Sequence, residues 1–370
     1  MKYYLIAGEA SGDLHGSLLI RALRERDPQA QIRAWGGDLM QEAGADLVKH
    51  YRELAFMGFV EVALNLRTIL GNLRWCKRDI VAFQPEVLVL IDYPGFNMRI
   101  AEFARAAGFK VVYYIAPQAW AWKQNRALKL KRDVHRLLSI LPFESDFFAG
   151  YDLPVDFVGH PLLDALEKRP PVDRQQRLQE WGLDPDQPLL ALLPGSRKQE
   201  IKTMLPRMLA AAKALGWQVA VAGAPGQEAA FYRDFLQGHR AVLLQAKTYA
   251  LLEVANLAAV TSGTATLETA LFGVPQVVCY RGSWLSYQIA RRLVKVKYIS
   301  LVNLVLDRPF LTELIQSELS AKNLQRELAR AYSAESRQEW RYTYRTLRAK
   351  LGGPGASAKA AQIVYQTARE

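Results

Sequence analysis

Two short stretches in the second half of the chain carry residue types suited to holding phosphate. Thr261-Ser262-Gly263-Thr264-Ala265-Thr266-Leu267-Glu268 passes from an apolar run through small residues into a helical pattern that ends at Phe272-Gly273-Val274-Pro275. Unpaired N–H groups at a helix start point outward with the positive end of the helix dipole behind them, and Gly263 lets a ligand approach the backbone closely. Glu268 stands one turn inside that helix. A carboxylate there is repelled by bound phosphate unless it faces hydroxyl groups, such as those of a ribose. The plain alternative is a helix cap at Thr264, but a capping box needs Glu or Gln three residues on, and Leu267 stands there. The second stretch, Pro194-Gly195-Ser196-Arg197, follows the apolar run 189–193 and precedes a helix beginning near Glu200. Arg197 offers a planar fork of donors matched to a diphosphate, Gly195 a close backbone approach and Ser196 a hydroxyl. Alone, this stretch reads as a turn with a solvated Arg. Two phosphate-type turns in one half of a chain favour a nucleotide.

A group for proton transfer is offered by Val89-Leu90-Ile91-Asp92-Tyr93-Pro94-Gly95-Phe96-Asn97, where an apolar strand delivers one carboxylate to its C-terminal end. Ligands of open α/β sheets bind at that edge, which suits Asp92 to general-base work. Asp at a strand end is also a common turn or cap residue; Asn97 is expected to cap the following helix and leave Asp92 free. The opening Ile6-Ala7-Gly8-Glu9-Ala10-Ser11-Gly12-Asp13-Leu14-His15-Gly16 is a glycine-rich turn between strand and helix. Its glycines recur every fourth residue rather than as GxGxxG, which disfavours a nicotinamide site. Gly8, Glu9, Ser11 and Gly12 remain candidates for a sugar or phosphate floor, with an ordinary strand-to-helix turn as the alternative. Trp120 and Trp122 flank a further strand end, where indoles line an acceptor cleft or simply pack. The five histidines lack metal-ligand spacing; His160, in Gly159-His160-Pro161, closes a strand where its ring is placed to face a cleft.

These residues need a scaffold that presents strand ends. Apolar runs at 3–7, 32–35, 87–91, 111–115, 137–140 and 155–158 each lead into a helical or turn segment, and the pattern resumes at 189–193, 219–221, 242–244, 257–260 and 276–279. Strands so uniformly apolar are covered on both faces, which implies parallel sheets flanked by helices. From about Thr312 helices alone are expected. The polar, proline-bearing Glu167-Lys168-Arg169-Pro170-Pro171 marks a boundary, giving domains 1–168 and 169–345 and a helical tail 346–370. The length of 370 residues suits two domains, and a net charge of +12 suits anionic partners. Two cysteines, Cys76 and Cys279, indicate neither a disulfide framework nor a zinc site, and the chain opens directly into a strand, so a cytoplasmic setting is expected. No uncharged apolar run reaches the ~18 residues that span a bilayer. The pattern 56–83 reads as one amphipathic helix whose Phe56, Met57, Val60 and Leu64 fall off the core stripe, beside Arg67, Arg74, Lys77 and Arg78. That combination suits peripheral attachment to anionic lipid. A second basic cluster comprises Arg281, Arg291, Arg292, Lys295 and Lys297.

As an ordered set, Ala7-Gly8-Glu9-Ala10-Ser11-Gly12-Asp13, Met57-Gly58-Phe59-Val60-Glu61-Val62, Ile91-Asp92-Tyr93-Pro94-Gly95-Phe96-Asn97, Trp120-Ala121-Trp122, Leu141-Pro142-Phe143-Glu144, Gly159-His160-Pro161, Leu193-Pro194-Gly195-Ser196-Arg197 and Ser262-Gly263-Thr264-Ala265-Thr266-Leu267-Glu268 resemble the lipid-A-disaccharide synthases, inverting glycosyltransferases. The resemblance implies a GT-B fold, two doubly wound Rossmann-like parallel-sheet domains facing a central cleft. It implies transfer of 2,3-diacylglucosamine from UDP-2,3-diacylglucosamine to 2,3-diacylglucosamine 1-phosphate, giving a β-1,6-linked disaccharide and UDP, with no metal or organic cofactor. Asp92 is then the base for the acceptor hydroxyl, and Arg197, Glu268 and Asn303 contact UDP. Work at the inner face of the cytoplasmic membrane follows from acylated substrates; a homodimer is compatible with it and nucleic acid is not a partner. In one respect the chain departs: many members carry a second Asp in a DxPDFN motif, where Gly95 stands here. Rival readings are another GT-B enzyme, such as a UDP-sugar epimerase or a lipid-linked N-acetylglucosaminyltransferase, and a basic nucleotide- or nucleic-acid-binding protein.

Overall fold

The computed structural model describes residues 1–54, 66–122, 124–167, 169–282 and 297–370, less the side chains of Leu66 and Trp122. They divide into two compact units, Met1–Lys168 with Leu351–Glu370, and Arg169–Lys350. The stretch 346–370 is therefore not one separate tail. It belongs to the second unit up to Lys350 and returns to the first from Leu351.

The first unit is built on strands β1 (Lys2–Ala7), β2 (Gln31–Gly36), β3 (Asp46–His50), β4 (Val87–Ile91), β5 (Lys110–Tyr114), β6 (Arg136–Ser139) and β7 (Val155–Phe157), in the order β3-β2-β1-β4-β5-β6-β7. The second is built on β8 (Leu189–Leu193), β9 (Gln218–Gly223), β10 (Ala241–Gln245), β11 (Leu257–Thr261), β12 (Gln276–Tyr280) and β13 (Glu313–Ile315), in the order β10-β9-β8-β11-β12-β13. Every pairing in both sheets is parallel. The apolar runs explain the central strands: Tyr3 to Ala7 and the whole of β4 have no exposed surface, as a parallel sheet covered on both faces requires. Strands β3 and β13 escape sequence reading because each is a short edge strand with charged residues and mixed burial. The expectation of helices alone after Thr312 is thereby corrected.

In both sheets the strand order reverses beside the first strand, between β1 and β4 and between β8 and β11. Ligands of doubly wound sheets bind at such reversals, beyond the carboxyl ends of the strands. Register makes the neighbouring turns adjacent: Ala7 pairs with Ile91, and Leu193 with Val260. The four motifs singled out from sequence leave the sheets at these two places.

Of the amphipathic helix expected over 56–83, the described part is Leu66–Phe83; Phe56, Met57, Val60 and Leu64 lie outside the described residues. Leu73, Cys76 and Ile80 enter the core of the first unit, whereas Leu70, Trp75 and Val81 stay exposed. The last helix, Ala356–Arg369, packs against the helix Ala10–Arg26 and against β4 and β5, with Ala360, Ala361 and Val364 fully buried. Asp164 anchors its start, accepting from the Gly355 N–H at 2.5 Å and the Ser357 N–H at 2.7 Å. His160 does not face a cleft: it is buried, edge-on to His15 with ring centroids 6.0 Å apart. Burial pushes the His160 imidazole down to about 3 and that of His15 down to about 4, so both are neutral packing groups at pH 7.

Candidate active site

At the reversal in the first unit, Asp92 and Tyr93 leave β4 with φ of 44° and 47°, two successive non-glycine residues in the left-handed region. Such a backbone persists only when its surroundings over-determine it, at a cost of about 1–3 kcal/mol per residue. The Asp92 carbonyl accepts from the Tyr113 hydroxyl at 2.6 Å and from the Asn97 amide at 2.8 Å. Asn97 Nδ2 also reaches the carbonyls of Ile91 at 3.2 Å and Ile6 at 3.3 Å, tying β1 to β4. Asn97 is thus no cap. Pro94, with its fixed φ and missing N–H, opens the helix Pro94–Ala106, so Asn97 falls inside the first turn and braces the strand ends instead.

The Asp92 carboxyl is left unclaimed by the brace. It is part-buried, and burial pushes it up to about 7, the negative charge of Glu9 adding to the effect while the Tyr93 N–H and the Arg126 charge oppose it. A base poised near neutrality is the best compromise between being ionised and binding a proton strongly. Glu9 ends the turn after β1 as the residue before the helix Ala10–Arg26, with Ser11 and Gly12 in its first turn. Gly8 is accounted for by packing: a Cβ there would meet the Tyr93 ring at 2.3 Å. Asp13, buried nearby, accepts from the N–H groups of Gly37, Leu39 and Met40 and so caps the helix Asp38–Glu42.

Trp120 points its indole N–H at Glu144 (3.1 Å) and packs edge-on against Phe143, with ring centroids 5.0 Å apart. Glu144 is itself buried; burial pushes its carboxyl up to about 8, and Asp92 adds a smaller effect of the same sign. The Trp122 side chain lies outside the described residues. Sequence reading missed Tyr113, Arg126 and Glu144 as neighbours of Asp92, since they come from three separate elements with no shared motif.

At the reversal in the second unit the turns are carried by glycine. Gly195 has φ 103° and Gly263 φ 157°, and Gly263, rather than Thr264, is the residue before the helix Thr264–Leu271. Among the described residues no side chain caps that helix, and Gly263 and Thr264 are exposed, so its first N–H groups and its positive dipole end face outward. The helix after β8 begins at Lys198, with Ser196 and Arg197 exposed just before it. Arg197 Nη1 pairs with Glu200 at 3.0 Å, an exposed contact that a diphosphate can replace at little cost. Glu268, part-buried one turn inside its helix, accepts from the Tyr249 hydroxyl at 3.1 Å, and burial raises its carboxyl above the usual range.

Asn303 is placed differently from the remainder. It is buried, its Nδ2 donates to the Leu311 carbonyl and to Glu313, and its Oδ1 accepts from the Leu311 N–H. With both Nδ2 hydrogens and one Oδ1 lone pair committed, Asn303 locks the segment after Ser300; its amide can meet a nucleotide only by accepting at the second lone pair of Oδ1. Glu313 also accepts from the Ile299 and Ser300 N–H groups, and Ile299 receives the Ser262 hydroxyl at 2.8 Å, so this network holds the turn after β11. Of the second basic cluster, Arg281 donates to the Gln316 carbonyl and Lys297 pairs with Asp307, while Arg291, Arg292 and Lys295 lie outside the described residues.

Comparison with known proteins gives the family and the fold of the chain. A family model described as lipid-A-disaccharide synthetase matches residues 3–367. A lipid-A-disaccharide synthase of Geobacter metallireducens is 39% identical over 370 residues, covering 98% of this chain and 96% of that protein. Among solved structures, a putative UDP-N-acetylglucosamine 2-epimerase of Listeria monocytogenes superposes with a TM-score of 0.70 at 12% identity, covering 100% of this chain and 96% of the other. The kitacinnamycin glycosyltransferase superposes with a TM-score of 0.65 at 15% identity, covering 99% and 98%. At such identities the likeness concerns the fold alone.

Proposed function

The chain belongs to the lipid-A-disaccharide synthase family, and from that premise we propose how its two units divide the work of a glycosyl transfer. The enzyme is a glycosyltransferase of the GT-B fold that makes the lipid A disaccharide from a UDP-sugar donor and a phosphorylated sugar acceptor. The proposal identifies the donor as UDP-2,3-diacylglucosamine and the acceptor as 2,3-diacylglucosamine 1-phosphate. One observation carries the division of labour: the carboxylate suited to a base and the groups suited to a diphosphate stand at the strand-order reversals of different units.

An inverting displacement needs a base for the incoming hydroxyl and charge stabilisation for the departing diphosphate. Asp92 takes the proton of the acceptor hydroxyl as the new glycosidic bond forms. Arg197 and the open helix start at Gly263–Thr264 neutralise the charge that develops on UDP, while Glu268 accepts from its ribose. Asn303 supports the donor turn from behind. Attachment to the inner face of the cytoplasmic membrane is supported by the exposed Leu70, Trp75 and Val81 on a helix that also carries Arg67, Arg74, Lys77 and Arg78. Among the described residues no helix is long and apolar enough to cross a membrane.

The test is UDP release from UDP-2,3-diacylglucosamine, measured with and without 2,3-diacylglucosamine 1-phosphate. Release that depends on the acylated acceptor, with a disaccharide 1-phosphate as product, is the expected result. Acceptor-independent conversion of UDP-N-acetylglucosamine would return the chain to the epimerase reading.

A further inference from the structure

The ribose assignment for Glu268 leaves open what aims its carboxylate. Tyr249, on the short helix Thr248–Leu252 after β10, donates its hydroxyl to Glu268 Oε1 at 3.1 Å. The ring of Tyr249 is held on two sides. Phe272, at the end of the helix that carries Glu268, lies 5.3 Å away between ring centroids at a tilt of 52°. The guanidinium carbon of Arg169 stands 5.6 Å from the centre of the Tyr249 ring, and Arg169 is itself ion-paired with Glu253. Each contact fixes the phenol while leaving its single proton for the carboxylate.

A carboxylate held through one oxygen presents the other in a set direction. We infer that Tyr249 is the positioning residue for Glu268, turning the free oxygen toward the ribose hydroxyls of the donor and thereby setting the preference for a ribonucleotide over one lacking those hydroxyls. This rests on the assignment of Glu268 to the ribose. Chemistry supports it from a second side: burial disfavours the charged form of Glu268, and the Tyr249 hydroxyl is the group that offsets this.

The experiment is calorimetric titration of the full-length protein with UDP and with 2′,3′-dideoxy-UDP, which keeps the base and diphosphate but lacks both hydroxyls. Variants are Tyr249→Phe, Glu268→Gln and the double variant; Phe preserves the ring against Phe272 and Arg169. A hydrogen bond to a charged group is worth ~10- to 10²-fold in affinity, so the wild type should prefer UDP by about that factor. Glu268→Gln should narrow the preference. Tyr249→Phe should weaken UDP ~5- to 10-fold, leave dideoxy-UDP within about twofold, raise donor KM with kcat unchanged, and add nothing in the double variant. It should also move the pH midpoint of UDP binding upward, because Glu268 must be ionised to accept hydroxyls and has lost the donor that favoured that form. Equal losses for both nucleotides, or losses that add in the double variant, would overturn the role of Tyr249 and leave Glu268 standing. An unchanged UDP preference in Glu268→Gln would overturn the ribose assignment, and the inference with it.

Discussion

The two strand-order reversals share one topology and differ in charge, backbone and enclosure. Turns after β1 and β4 present Glu9 and Asp92 on a backbone forced into the left-handed region at two non-glycine residues, held there by Asn97 and Tyr113. Turns after β8 and β11 present Arg197 and an uncapped helix start, with glycine wherever the backbone takes a positive φ and with the key residues exposed. Sheet order selects the place; turn composition selects the chemistry done there. In the proposed division of labour, strain and burial accompany the proton acceptor, and open glycine turns accompany the diphosphate.

Replacing the acid is the strongest way to break this contrast. Asp92→Asn should lower kcat by ~10²- to 10⁴-fold with UDP affinity unchanged by calorimetry. A variant within threefold of wild type would remove Asp92 from the chemistry. In the wild type kcat/KM should rise with pH and level off above about 7, since the base acts deprotonated and burial holds it near that value. The same carboxyl bears on stability. Its folded value, about 7, exceeds the ordinary 3.8, so the fold binds the proton more tightly than the unfolded chain does and loses stability as pH rises between those values, with no further loss above. Asp92→Asn should therefore raise Tm more at pH 8 than at pH 5.

The second reversal is probed by Arg197→Ala. Removing a charged donor from a diphosphate should weaken UDP binding ~10- to 10²-fold and lower kcat as well, because leaving-group charge grows in the transition state. Uridine should be nearly unaffected. If UDP and uridine lost affinity equally, the electropositive reading of this turn would fail and the two reversals would no longer differ in the way described.

Packing at the first reversal can be separated from ligand contact with glycine substitutions. A methyl group on Gly8 would collide with the Tyr93 ring, whereas Gly95 has nothing within 4 Å of the corresponding position. Gly8→Ala should destabilise by about 1–3 kcal/mol in chemical denaturation, and Gly95→Ala should not destabilise. A fully stable Gly8→Ala enzyme with weakened acceptor binding would return Gly8 to the sugar-contacting role.

How far the site was legible in the sequence follows the same division. Asp92 was singled out because it ends an apolar run, Arg197 because it lies in the turn after one, and Glu268 because it stands one turn inside the helix that follows another; strand ends at sheet reversals are where ligands bind. The central strands were legible for the same reason: continuous apolar runs have few other uses. Asn97 was misread because its type suits a cap, while Pro94 had already started the helix. Tyr249 left no signal and Glu144 appeared only as part of a resemblance motif without a role, since a tyrosine hydroxyl aimed at a glutamate, or an indole aimed at a buried acid, depends on packing between elements distant in sequence. Asn303 was assigned by resemblance alone; the hydrogen bonds that tie it to Leu311 and Glu313 had no counterpart in the sequence pattern.

The smallest expected effect is also the most diagnostic of the first reversal. Gly95 occupies the second position of the helix Pro94–Ala106, in open space, where the family pattern commonly has an acid. Gly95→Asp should stabilise modestly: Asp is only slightly better than glycine in helix propensity, but a carboxylate in the first turn gains about 0.3–1 kcal/mol. Its charge should also reach Asp92, which already feels Glu9. A second negative group near a base disfavours the ionised form, so the pH midpoint of kcat/KM should rise by roughly a few tenths of a unit, and added salt should erase that rise. If the midpoint stays and the plateau climbs instead, the restored acid contributes directly to catalysis, and a single carboxylate at the first reversal is less than the reaction can use. If the midpoint falls, Asp92 is not the group that titrates, and the acidic character assigned to this reversal has to be relocated to Glu9 or Glu144.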